Sequence, residues 1–87
     1  MNKTQRGAVV QSLMALLAAA PNGTVTTTGR LLSAAGIEDR AVSEGDLFDI
    51  HFDLFTAAEQ AGWVLDMSAH EGKLEGLPYN LDFVLRK

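Results

Sequence analysis

The stretch SEGDLFDIHFDLFTAAEQAGWVLDMS, residues 43–68, changes its rhythm part-way along and decides the fold class. Ser43-Glu44-Gly45-Asp46 has the form of a capping box. The Ser43 hydroxyl accepts from a free backbone N–H, and the acid three residues on suits the positive end of a helix dipole. A helix is therefore predicted from this cap to about Ala61. Its polar stripe is narrow and consists of Asp46, Asp49, Asp53, Thr56 and Gln60. Leu47, Phe48, Ile50, Phe52, Leu54, Phe55, Ala57, Ala58 and Ala61 make up most of the rest, and three of the four phenylalanines fall here. A helix apolar around so much of its circumference is either central or meets a partner with one face. Gly62 ends it. From Trp63 the period drops to two: Trp63, Leu65 and Met67 alternate with Val64, Asp66 and Ser68, as in a half-buried strand.

Downstream, Leu81–Arg86 alternates in the same way, with Leu81, Phe83 and Leu85 on one side and Asp82, Val84 and Arg86 on the other. The two runs predict an antiparallel hairpin whose inner side covers helices. Its connection, Ala69–Asn80, is long for a hairpin and is a candidate functional loop. Upstream, residues 4–20 read as a helix with Val9, Val10, Leu13, Met14, Leu16, Leu17 and Ala20 in a broad apolar stripe. Its other face (Thr4, Ala8, Gln11, Ser12, Ala15, Ala19) is small enough for close packing. Pro21-Asn22-Gly23 stops that helix. Thr24-Val25-Thr26 is a very short β-prone piece, and Thr26 or Thr27 caps a helix over about 28–35 that packs with Leu31, Leu32 and Ala35. Gly36 stands where a left-handed residue belongs, with Ile37 folding back on the last turn. Glu38–Val42 is a polar connector. The expected architecture is α+β: one domain over residues 1–87, three helices followed by an antiparallel β-hairpin.

Composition limits the chemistry. A chain of 87 residues with 47% hydrophobic and 21% charged residues is a single globular domain. It contains no cysteine, hence no disulfide, thiolate nucleophile or zinc knuckle, and an intracellular, cytoplasmic setting is expected. Basic Met1–Arg6 followed by apolar Leu13–Ala20 has the parts of a secretory signal, but Gln11 and Ser12 interrupt the run and the helix accounts for it fully. No apolar stretch reaches the ~20 residues of a membrane span. Asp49, His51 and Asp53 do not form a metal set, because two residues along a helix is about 200° and puts His51 on the far side. Ser33, His51 or His70, and Asp66 can be written as a triad, but no nucleophile elbow surrounds a serine. Gly72–Gly76 lacks the Gly-Lys-Ser/Thr ending of a phosphate loop. No catalytic group, metal or cofactor is expected.

Charge is uneven along the chain. The formal net charge is −4, yet residues 1–30 carry Lys3, Arg6 and Arg30 and no acid. All eleven acids lie within 31–82, where the only cations are Arg40 and Lys73. Such a middle repels phosphate backbones and attracts basic protein surfaces. The candidate partner-binding residues are therefore Glu44, Asp46, Asp49 and Asp53, which supply steering and charge pairing, with Leu77 and Tyr79 of the long connection as apolar anchors. A homodimer through the apolar excess of the third helix, or the alanine face of the first, is the third possibility.

The order helix, short strand, helix, helix, strand, strand resembles the winged-helix family. Gly23-Thr24-Val25-Thr26 followed by Gly29–Ile37 looks like the first half of a helix-turn-helix. That resemblance implies a DNA-binding regulator, which would have to use Lys3, Arg6, Arg30 and Lys73, since the would-be recognition helix begins with acids. The molecule as a whole is small, acidic and cysteine-free, with the tail Gly76-Leu77-Pro78-Tyr79-Asn80-Leu81-Asp82-Phe83-Val84. In this it resembles the compact inhibitors of phages and mobile elements, anti-CRISPR proteins among them. The resemblance implies a non-enzymatic viral inhibitor, a nucleic-acid mimic that blocks the basic site of a host effector complex.

Overall fold

A computed structural model describes residues 1–38, 41–67 and 81–87. The architecture is α+β. In chain order it runs α1 (Lys3–Ala19), β1 (Val25–Thr27), α2 (Thr28–Ala34), α3 (Glu44–Gln60), β2 (Val64–Asp66) and β3 (Asp82–Arg86).

Local sequence signals place the helix ends. Ser43 and Asp46 form the expected capping box at α3, and Thr27 caps α2 by accepting the Arg30 N–H. A second capping box, between Asn2 and Gln5, opens α1. Both α2 and α3 close in the same way. Gly36 and Gly62 adopt φ of 75° and 82°, a region that costs a side-chain-bearing residue strain. The next N–H in each case, that of Ile37 or Trp63, folds back onto the carbonyl of Leu32 or Ala58. Between α1 and β1, Gly23 has φ 94° in a turn closed by the Thr24 N–H on the Pro21 carbonyl.

The sheet corrects the expected order of three helices followed by a two-stranded hairpin. Strand β1 joins it, giving the antiparallel order β1-β3-β2. Val25 pairs with Val84 on one side of the central strand, and Asp66 pairs with Val84 on the other. This explains Val84, which was expected to point out to water and is only 9% exposed. Its outward side is flanked by a neighbour on each adjoining strand, a shelter that a two-stranded hairpin lacks. Met67 departs the other way. It lies past the end of β2 and is 40% exposed, not turned inward as expected.

One core lies between the helices and the inner face of the sheet. Val9, Leu13 and Leu17 of α1 meet Leu31 and Leu32 of α2, Leu47, Ile50, Leu54 and Ala58 of α3, and Trp63, Leu65, Phe83 and Leu85. Phe55 stands edge-on to Phe83 at 5.8 Å between centroids. The small face of α1 is partly used by α2, because the Ser12 hydroxyl lies 3.0 Å from the Leu31 carbonyl. At the C-terminal end, the Lys87 N–H donates to Asn22 and its ammonium lies 5.0 Å over the Trp63 ring. No helix among the described residues is long and apolar enough to cross a membrane.

Two glycines test this account in opposite directions. Gly7 is exposed inside α1 with open space where a Cβ would go, so Gly7→Ala should stabilise the fold by about 1 kcal/mol. Gly62→Ala should cost about 1 kcal/mol or more, because alanine is strained at that φ. Urea unfolding of the two variants gives both signs.

Candidate interaction surface

Helix α3 places three kinds of residue on three sides. Leu47, Ile50, Leu54 and Ala58 fill the inner side. At about 100° per residue, Asp46, Asp49 and Asp53 fall on one flank and two phenylalanines on the outside.

The expectation that Glu44, Asp46, Asp49 and Asp53 form one free acidic patch is corrected by α1. Arg6 forks onto Asp53, with Nε to Oδ2 at 2.9 Å and Nη2 to Oδ1 at 3.0 Å. Its Nη1 is also 4.0 Å from Asp49. The amino group of Met1 is 3.1 Å from Asp46. The Ser43 N–H and that amino group hold the Asp46 carboxyl below the usual carboxylate range. Two of the four acids thus serve the junction between helices. Asp49 keeps 60% of its side chain exposed, and Glu44 is exposed with no ion pair to another described residue. Leu77 and Tyr79 lie outside the described residues.

The side chains missed as candidates are Phe48 and Phe52, 68% and 71% exposed. Four residues apart, they lie one above the other, about 6 Å along the axis. Exposed Glu44, Asp49 and Glu59 surround them on the same outer surface of the helix. Beside Phe48, a hollow of about 180 Å³ is lined, among the described residues, by Leu47, Phe48, His51 and Leu81. The sequence signal was present in the excess of apolar positions on α3, but helical periodicity does not say which apolar side is the inner one.

His51 sits at the core margin, as its position opposite the acidic flank implies. Its Nε2 is 2.9 Å from the Thr28 hydroxyl, and its ring stands edge-on to Phe83 at 6.2 Å. Burial pushes the imidazole below its ordinary value. No group of three or more potential metal ligands occurs among the described residues.

No protein-family model, curated protein or solved structure matches the chain. The surface therefore has to be interpreted from its own chemistry.

The two classes of acid separate under mutation. Asp53→Asn strands the Arg6 fork and should destabilise the fold, with a positive coupling to Arg6→Gln in a double-mutant cycle. Glu44→Gln and Asp49→Asn should leave stability within error. Ser43→Ala removes the α3 cap and should cost about 1 kcal/mol. Asp46 is ionised in the fold at a pH where the unfolded chain has begun to take up protons. Its contribution is complete above the usual value of about 3.9 and disappears as pH falls through the lower folded value. Acid titration followed by circular dichroism checks this.

Proposed function

We propose that this chain is a non-enzymatic protein-binding inhibitor that docks the outer side of α3 into an apolar, basic-rimmed groove of a larger protein. The observation that carries the reading is the exposure of Phe48 and Phe52 one helical turn apart, among the exposed carboxylates of Glu44, Asp49 and Glu59. A few large side chains carry most of the affinity at interfaces, where phenylalanine is enriched, while surrounding charges steer encounter. Glu44 and Asp49 keep the steering role expected of them. Asp46 and Asp53 drop out, because they are committed to α1.

A groove with an apolar floor and cationic edges is the kind of site in which single-stranded nucleic acid lies, its bases stacked and its phosphates paired. The partner is accordingly a nucleic-acid-binding effector, and the chain belongs by type with the phage and mobile-element inhibitors, anti-CRISPR proteins included. A second copy is a poor occupant. A two-fold interface sets Glu44, Asp49 and Glu59 against the same acids.

The strand order β1-β3-β2 supports a winged-helix-like frame with α3 in the recognition position. That favours the second reading, a DNA-binding regulator. The charges do not. Arg6 is spent on Asp53, and α3 offers Glu44 and Asp49 to a phosphate backbone.

The test is affinity capture by the wild-type chain followed by kinetics on the captured protein. Phe48→Ala/Phe52→Ala should weaken binding at least tenfold with the fold intact. Glu44→Lys/Asp49→Lys should slow association, and added salt should slow the wild type in the same way. Single-stranded nucleic acid should compete. Binding that survives the double phenylalanine variant eliminates the proposal. A doubled mass in light scattering would assign the face to self-association, and a low-salt gel shift of labelled DNA would assign the chain to the regulators.

A further inference from the structure

Among the described residues, Thr28, the first residue of α2, is a fully buried polar side chain that ties α2 to α3 and to Leu81. Its backbone N–H donates to the Leu81 carbonyl at 3.0 Å, and its hydroxyl accepts the Leu81 N–H at 3.2 Å. The pair extends the β1–β3 ladder by one rung beyond Thr27 and Asp82. The same hydroxyl meets His51 Nε2 of α3 at 2.9 Å. Which of the two donates depends on the ring tautomer; with Leu81 on one lone pair, the arrangement that gives the hydroxyl proton an acceptor is donation to Nε2. The neutral ring then carries its own proton on Nδ1.

We propose that His51 is a proton-operated tie: neutral, it locks the approach to β3 onto α2 and α3 beside the docking face; protonated, it lets go. A proton on Nε2 turns the acceptor into a donor. The Thr28 hydroxyl hydrogen is then left without its acceptor at a site closed to water. The new charge also lies against Phe83 and beside the hollow formed with Leu47, Phe48 and Leu81. Leu81 holds the rung and lines the hollow, so loosening the rung changes the surface next to Phe48.

Among the described residues no charged side chain pairs with His51. From α2 the residue facing His51 is Thr28, and from β3 it is Phe83, with Leu81 just before it. On its own helix, Asp49 and Asp53 lie on the far side, where Arg6 of α1 meets them, and Glu44 shares its face but is two turns, about 10 Å, away. Desolvation is the cause of the lowered histidine value, with no contribution from Arg30 of α2 or Asp82 of β3. The sign follows. As pH drops below the ordinary histidine value of about 6.5, the open form takes up a proton that the closed form resists, and the closed form loses ground. The consequence for docking rests on the function proposed above, but the tie itself is measured without a partner.

The experiment is amide hydrogen exchange at Leu81 of the free, full chain by NMR, from about pH 7.5 to about pH 5, alongside the His51 ring titration. Exchange is expressed as a protection factor, which removes the intrinsic pH dependence. His51 should titrate below the ordinary value, and Leu81 protection should fall about tenfold or more through that titration. In His51→Gln the protection should no longer follow pH. Protection independent of pH, an equal fall in His51→Gln, or a His51 that titrates at or above the ordinary value overturns the proposal. Should His51→Gln fail to fold, the two wild-type measurements decide alone. Phe48→Ala/Phe52→Ala should leave the Leu81 response in place, which keeps failure of the tie distinct from failure of the docking reading.

Discussion

Helix α3 is apolar over most of its surface, yet its buried residues Leu47, Ile50, Leu54 and Ala58 all lie on one side. The rest of the structure is arranged around that constraint. The sheet and the other two helices take up Leu47, Ile50, Leu54 and Ala58. Helix α1 takes the acidic flank with Arg6 and the chain's amino group. Phe48 and Phe52 stay largely exposed on the outer side, one helical turn apart.

The Arg6–Asp53 fork alters the electrostatic account of the molecule. The uneven charge along the sequence suggests two separate regions, a basic start and an acidic middle. In the fold, α1 and α3 bring part of each together, and the two partly cancel. A bidentate pair at half-exposed positions mainly fixes the relative rotation of two helices and contributes modestly to stability. It also removes a cation from any phosphate-binding role and leaves fewer free carboxylates for a protein partner. Among the described residues, exposed Glu44, Asp49 and Glu59 remain on the helix that carries the phenylalanines.

Features carried by neighbouring residues were legible in the sequence. Ser43 with Asp46, Thr27 before α2, and Gly36 and Gly62 after their helices all follow from bonds that reach only a few residues. The alternation of Trp63–Asp66 and of Leu81–Arg86 placed β2 and β3 for the same reason. Features set by distant residues were not legible. Arg6 and Asp53 are 47 positions apart, and no local pattern connects them. Strand β1 has three residues, too few for alternation to show that it completes a sheet. The inner side of α3 depends on what packs against it, so Phe48 and Phe52 looked like core. Thr28 reads as a helix-opening residue, and its bonds to His51 and Leu81 appear only when three separate elements meet.

The central position of β3 bears on how the molecule is made. Strands β1 and β2 do not pair with each other; each finds its hydrogen-bonding neighbour only in residues 82–86. A ribosome releases both outer strands before the one that joins them, so the helices emerge first with the inner side of α3 still bare. Closure of the sheet waits for β3, the latest of its three strands to emerge, and until then the nascent protein is exposed to chaperones and proteases.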